Sequence, residues 1–107
     1  MRAALIALLL VGCGHTELSE IVLRPPTRGH GPVPVYVKGR DPDREYYDIA
    51  LVQAVGSGGD ADPEELVAKL AERAGILGCD AVVRLDLTQG IARTHAAGVC
   101  VRFTTNP

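Results

Sequence analysis

Side chains that could act as nucleophiles or metal ligands are few in this chain of 107 residues, which contains three cysteines and three histidines. The histidines stand at positions 15, 30 and 95, too far apart to show the clustered spacing of a metal site. A site built on His95 with Asp86 or Cys79 stays open as an alternative. We expect neither a bound metal nor a cofactor.

The residues give little support for nucleophilic catalysis. Ser19 and Ser57 are the only serines, and neither has the Gly-x-Ser-x-Gly surroundings of a hydrolase nucleophile. A trio of Cys100, His95 and Asp86 can be drawn, but a small sheet readily supplies three such residues without catalytic meaning. The sequence therefore predicts a protein that is not an enzyme.

The N-terminal residues have the pattern of an export signal. Met1 and Arg2 precede an uninterrupted apolar run over residues 3–11, which is shorter than the ~20 residues of a membrane-spanning helix. The run ends in Leu-Val-Gly-Cys at 10–13, which resembles a bacterial lipobox. We predict a lipoprotein signal peptide at 1–12 and lipidation of Cys13. The alternatives are an ordinary signal peptide with a chance cysteine, or a buried N-terminal helix.

The lipobox resemblance implies a location. In lipoproteins of this type the cysteine thiol is alkylated with diacylglycerol, the peptide is cut before the cysteine, and the new amine is acylated. N-terminal acyl chains would then attach the protein to a membrane of the bacterial cell envelope. Gly14 follows the cysteine where an Asp would mark retention at the inner membrane, so the resemblance implies the outer membrane, facing the periplasm.

Composition bounds the folded part to one small domain. The chain is 47% apolar and 22% charged, with a formal net charge of −2 and no basic cluster, which argues against nucleic-acid binding. Pro and Gly are concentrated between residues 24 and 34, so we expect residues 13–34 to be a lipidated cysteine followed by a flexible tether. A short strand or turn at 17–23 stays open as an alternative.

The remaining residues, 35–107, predict a single α+β domain. Asp62, Pro63 and Glu65 form the capping box of a helix, and Gly78 ends it. The flanking segments alternate as strands, with a turn at 89–90 and with Val99, Val101 and Phe103 expected inward. The predicted order is strand 35–37, strand 46–55, helix 63–77, strand 80–88 and strand 93–104. This β-β-α-β-β order predicts a small antiparallel or mixed sheet with one helix packed on one face.

Three segments carry a resemblance to a known family. They are Leu-Gly-x-Asp-Ala-Val-Val at 77–83, the end of a helix followed by a strand, Tyr-Asp-Ile-Ala-Leu-Val at 47–52, and Ala-Gly-Val-Cys-Val at 97–101. Together they resemble the family that contains the Rcs stress-sensor lipoprotein and the YbjQ-like domains. The resemblance implies an envelope lipoprotein whose disulfide-stabilised α/β domain acts through contacts with other proteins. The heavy-metal-binding label of the YbjQ-like proteins keeps a metal- or small-ligand-binding lipoprotein open as the alternative.

Cys79 and Cys100 are the two cysteines of the predicted domain, where the sensor has four in two disulfides. An oxidising compartment and an even count favour a disulfide between them, and two separate thiols are the alternative. Counting back from a turn at 89–90 places the two residues opposite each other. The alternation of the strands points them to different faces, and a bulge at Gly98 would reconcile the two readings.

A partner is expected to bind at one edge of the sheet. The first predicted strand is short and free for strand addition, and a loop of alternating charges with two aromatic residues follows it. Tyr and Arg are favoured at interfaces, so this segment is a candidate contact surface for an unidentified envelope protein. The candidate residues are Val35, Tyr36, Val37, Arg40, Arg44, Tyr46 and Tyr47.

Overall fold

The computed structural model describes residues 15–25, 27–60 and 62–104. The predicted signal peptide and Cys13 lie outside the described residues. Among the described residues, no helix is long and apolar enough to cross a membrane.

The domain is a five-stranded mixed sheet with one α-helix against one face. The elements in chain order are β1 (His15–Val22), β2 (Val35–Val37), β3 (Tyr46–Ser57), a 3-10 turn (Gly58–Asp60), α1 (Pro63–Ile76), β4 (Ala81–Gly90) and β5 (Arg93–Phe103). Across the sheet the order is β1-β3-β5-β4-β2, with β2 parallel to β4 and the other pairs antiparallel. The predicted α+β class, with one helix packed on the sheet, is confirmed.

The helix begins and ends where the capping residues predict. The Asp62 side chain accepts a hydrogen bond from the backbone N–H of Glu64 at 3.2 Å, and Pro63 occupies the first turn. At the other end Gly78 has a positive φ of 83°, the conformation that closes a helix. Between these ends, Leu66 and Leu70 are buried against the sheet.

β1 replaces the first part of the expected tether. Its eight residues pair with β3 without a register shift, from His15 opposite Ser57 to Val22 opposite Ala50. Its apolar residues are mostly exposed, and its pairing with β3 is supplemented by a long-range ion pair between Glu20 and Arg73 of the helix. A strand of this kind depends on contacts distant in sequence, which explains why local pattern leaves it open.

The Pro- and Gly-rich residues 23–34 form a strap across the helix instead of a flexible tether. Pro26 lies outside the described residues. The backbone N–H of His30 donates to the carbonyl of Gly75 at 2.8 Å, and that of Val33 donates to Ala71 at 3.3 Å. The strap ends where the Pro34 carbonyl accepts from the N–H of Val82 on β4. It therefore connects β1, at one edge of the sheet, to β2 at the other.

Glycine in the last helical turn permits this approach. A Cβ atom at Gly75 would overlap the carbonyl oxygen of Gly31 and would lie 2.7 Å from that of His30. Across the same contact Gly31 faces open space, with nothing within 4 Å of a built Cβ. Gly75 therefore requires glycine and Gly31 does not, while Gly29 of the strap also approaches the helix closely, since a Cβ there would lie 2.6 Å from the Ile76 carbonyl oxygen.

We expect Gly75→Ala to lower the free energy of unfolding by about 1–3 kcal/mol, because the new methyl group forces the strap away from the helix. In a helix with an open surface the same change would raise stability by about 1 kcal/mol, so the sign of the effect tests the strap. Urea denaturation measures it, with Gly31→Ala as the matched control that leaves stability nearly unchanged. A stabilising Gly75→Ala would contradict the packed strap.

β5 lies at the centre of the sheet and is buried on both faces. Ala96 and Cys100 face the helix, in the main core with Leu66, Leu70 and Ala74. Val101 belongs to a second cluster on the opposite face with Ala81 and Val83, and Val99 and Phe103 pack against it. The expectation that Val99, Val101 and Phe103 point toward the main core is wrong. Alternation gives two faces, and a strand with apolar residues on both does not show which one meets the helix.

The hairpin between β4 and β5 turns two residues later than predicted. Its loop is Ile91 and Ala92, because Gly90 pairs with Arg93. The register shifts between Val83 and Asp86, where two residues of β4 oppose Gly98, and Arg84 has a positive φ of 53° in this bulge. The predicted bulge thus lies at Gly98, but the extra residue is on the facing strand.

Candidate functional site

Cys79 and Cys100 lie at disulfide-bonding distance, with Cα atoms 5.7 Å apart. Cys79 sits in the loop before β4, and its N–H donates to the Ala74 carbonyl at 3.0 Å. The residue opposite Cys100 on β4 is Val82, so the two cysteines are not cross-strand neighbours as the counting argument placed them. Both side chains are fully buried in the main core. Their position is structural, because a buried cross-link offers no accessible thiol.

Removing this cross-link should cost about 3 kcal/mol of unfolding free energy, from the chain-entropy model and the sequence separation of 21 residues. We expect this loss in the variant with both Cys79→Ala and Cys100→Ala, measured by urea denaturation. A reductant should destabilise the natural chain by a similar amount and leave the double variant unchanged. A natural chain that does not respond to reductant would contradict the cross-link.

The predicted interaction edge is an edge of the sheet, but its residues do not form one surface. β2 pairs only with β4, and Val35 is half-buried against the main core. Val37 is exposed, and Arg40 lies in the turn that follows, where its N–H donates to the Val37 carbonyl at 2.9 Å. This segment presents backbone and few anchoring side chains.

Three of the predicted contact residues meet on the sheet face away from the helix. Tyr36 and Tyr46 pack with Phe103 against the second apolar cluster. The Arg44 guanidinium carbon lies 3.9 Å from the centroid of the Phe103 ring, a cation–π contact. The Tyr46 hydroxyl lies 3.5 Å from Oδ2 of Asp41. These side chains form an aromatic cluster at one end of the sheet face away from the helix, which we call the open face.

Tyr47 stands apart from that cluster. It pairs with Arg102 in the register of β3 and β5, and the guanidinium of Arg24 lies over its ring at 5.1 Å. Arg102 contacts Thr27 of the strap. Tyr47 therefore belongs to the junction of the strap and the sheet.

A groove that the sequence did not predict runs along the open face beyond the aromatic cluster. Its volume is about 410 Å³. β1, β3 and β5 supply apolar side chains, and β4 supplies two charged ones at the rim. The principal lining residues are Ile21, Leu51, Ala97, Val99, Arg84 and Asp86. Predicting the groove from the sequence requires knowing that β1 pairs with β3. The sequence signal for it is the alternation of Leu51 and Gln53 on β3, which both face the groove.

Polar contacts fix the rim of the groove. The bulge directs Arg84 toward Asp48, with 3.4 Å between Nη2 and Oδ1. Gln53 on β3 bridges its two neighbouring strands. Its Nε2 donates to the hydroxyl of Ser19 on β1 at 2.8 Å, and its Oε1 lies 3.0 Å from Nε2 of His95 on β5. An apolar floor with oriented polar groups at its margin is the usual composition of a binding site.

β1 is also attached to the helix. Two oxygens of Glu20 accept hydrogen bonds from the Arg73 guanidinium, and this bond together with the charge of Glu20 raises the pKa of Arg73 above its ordinary value. Lys69 Nζ donates to the Thr16 hydroxyl at 3.2 Å. These contacts hold β1, and therefore one wall of the groove, against the domain.

The geometry does not assemble the metal site considered above. Cys79 is engaged with Cys100, and His95 is opposite Thr88 in the sheet and contacts Gln53. Across residues 15–25, 27–60 and 62–104, no three His, Cys, Asp or Glu side chains are grouped as metal ligands.

No protein family, curated protein or solved structure shows a significant match to this chain.

Proposed function

We propose that the protein is a lipid-anchored bacterial envelope protein whose single domain binds another envelope protein and catalyses no reaction. The observation that carries the proposal is the groove on the open face of the sheet. It combines apolar side chains with a charged rim, and it lies on a domain whose chain carries a lipobox-like Leu-Val-Gly-Cys segment. Stress sensing, as in the Rcs sensor that the sequence resembles, is one form such binding would take.

The exposure of the groove supports a partner. Leu51 lies on an interior strand of the sheet, yet 42% of its surface is exposed, and Ile21 beside it is 63% exposed. Single exposed apolar residues are ordinary, but a contiguous group with a polar margin marks an interaction site. The Asp48–Arg84 pair and Asp86 would give such an interface its orientation.

The position of β1 supports a short anchor. His15, the first residue of β1, is two residues after Cys13, and two extended residues span at most about 7 Å. Acyl chains on Cys13 would therefore hold the sheet at the membrane surface. A partner would meet the domain there, instead of at the end of a long tether.

Photo-crosslinking in intact cells tests the proposal. A photoreactive residue in place of Leu51 should give a discrete cross-linked product in the membrane fraction, because that side chain lines the groove. The same residue in place of Leu87, an exposed leucine of β4 outside the groove, is the control and should give none. Equal products from both positions, or none from either, would count against the groove as the contact surface.

The anchor is tested separately by Cys13→Ala, which should move the protein out of the membrane fraction. The intact mass of the natural protein should correspond to a chain that begins at Cys13 with acyl groups attached. An unmodified Cys13 in membrane-extracted protein would refute the anchor without bearing on the groove.

We expect Leu51→Asp to weaken partner binding by roughly tenfold or more, since a carboxylate would have to lose water inside an apolar contact. Its effect on unfolding free energy should match that of Leu87→Asp, because the two leucines have similar exposures of 42% and 39%. Leu87→Asp, at a β4 leucine of similar exposure (39%) outside the groove, is the matched control. Pull-down from solubilised membranes measures both variants.

A small-ligand-binding lipoprotein is the second candidate, since the groove volume lies within the roughly 300–1,000 Å³ of small-molecule sites. The lining favours a largely apolar molecule with one polar group over a metal ion. Native mass spectrometry of protein purified from membranes distinguishes the candidates: a bound small molecule that Leu51→Asp releases would favour this one.

A further inference from the structure

The two edges of the sheet differ in how they meet an added strand. β2 has three residues and an irregular register with β4, with prolines at 32 and 34 before it and Lys38 after it. Short length, irregular pairing, proline and lysine are the features by which proteins block strand addition at an edge. β1 has eight residues, an unbroken register with β3 and neither proline nor lysine. Its edge is long and regular, and its acidic residues are Glu17 and Glu20.

Exposed apolar side chains gather around β1. They lie on both faces of the sheet, and the helix contributes one that lines a second small groove with Leu18. Six of the ten large apolar side chains that are exposed in the described part of the chain belong to this edge: Leu18, Ile21, Val22, Leu23, Leu51 and Ile76. An edge that is both apolar and open to backbone pairing is a template for another strand.

We propose that this edge binds a second copy of the chain, with the two β1 strands antiparallel about a two-fold axis perpendicular to the sheet. The two five-stranded sheets then become one sheet of ten strands. The proposal does not require the lipid anchor, and it shares the exposed apolar residues Ile21 and Leu51 with the groove.

The sequence of β1 selects the register. Residues opposite each other in a continuous sheet lie on the same face, so the axis must lie midway between a residue of β1 and the same residue of the second copy. With the axis at Glu20, the two carboxylates would face each other. With the axis at Ser19, Glu20 would face the apolar Leu18 of the second copy, and Glu17 would face its Ile21.

An axis at Leu18 avoids these conflicts. Leu18 then packs on Leu18 of the second copy, Glu20 faces Thr16, and Glu17 faces Ser19. The two hydroxyl oxygens accept hydrogen bonds within their own chain, Thr16 from Lys69 and Ser19 from Gln53, at 3.2 and 2.8 Å. Each hydroxyl keeps its proton for donation, so it can bond the facing carboxylate of the second copy.

The contact area limits the strength of this dimer. One pair of strands with flanking side chains buries less than the roughly 1,200 Å² of a stable standard interface, so we expect a dissociation constant in the micromolar range. Two copies held at the same membrane surface would meet at a higher effective concentration than two copies in solution.

Cysteine trapping tests the register in the full chain with Cys13→Ala, which removes the one cysteine outside the Cys79–Cys100 pair. Leu18→Cys should form a disulfide-linked dimer under mild oxidation, because the new thiols meet at the axis. Val37→Cys, at an exposed position of the β2 edge, and the chain without an added cysteine are the controls and should form none. A dimer trapped at Val37 and not at Leu18, or one trapped equally in the unmodified chain, would overturn the proposal.

Sedimentation velocity tests the dimer without a cross-link. Leu18→Lys should raise the dissociation constant by roughly tenfold or more, since it places a charge at the axis. Leu87→Lys is the matched control, because Leu18 and Leu87 have similar exposures of 41% and 39%. A natural chain that is monomeric at all concentrations, or a folded Leu18→Lys protein that dimerises like it, would refute the proposal. Thermal unfolding checks that Leu18→Lys is folded, and the trapping result decides if it is not.

Discussion

One helix of 14 residues has to cover a sheet of five strands, and this shortage of cover shapes the rest of the domain. A helix about 10 Å across shields roughly two strands spaced at about 4.8 Å, so the margins and the second face need other protection. The strap supplies part of it by crossing the helix on Gly75, and the buried Cys79–Cys100 contact joins the helix end to the central strand. On the opposite face, the described residues Tyr36, Tyr46 and Phe103 pack on the small cluster of Ala81, Val83 and Val101, and the groove lies beyond them.

This shortage also explains why the binding features lie where they do. The groove occupies the part of the face away from the helix that the aromatic cluster does not reach. On the helix face, the helix covers the sheet only as far as Ile76, which lines the second groove with Leu18 of β1. Both features are surfaces that a larger domain would bury with a second helix. A partner or a small molecule in the groove would take the place of that missing layer, whereas a second copy would extend the sheet at β1.

The sequence predicts those parts of the fold that depend on neighbouring residues. Asp62, Pro63 and Gly78 mark the helix ends because capping is a local interaction, and the alternation of residues 80–88 marks a strand for the same reason. It could not predict β1, whose paired residues on β3 lie 28 to 42 positions away, or the strap, whose prolines and glycines are also typical of flexible segments. The sequence pattern assigns the wrong face of β5 to the main core, because apolar residues line both faces of that strand.

The candidate site follows the same rule. Tyr36, Arg44 and Tyr46 are predicted contact residues that do meet, but Tyr47 joins a different surface because successive residues of a strand point to opposite faces of the sheet. The groove combines four strands, so no single stretch of sequence contains its pattern.

The order of the strands has a consequence for how the chain is made. β5 is the last of the described strands in sequence, and it lies in the middle of the sheet between β3 and β4. Until it emerges from the ribosome, β3 lacks its longest pairing and Cys79 lacks the sulfur it faces. Nascent chains that lack this strand have no complete core to fold around. Folding of this domain therefore waits for β5, which is the last of its described strands to be synthesised.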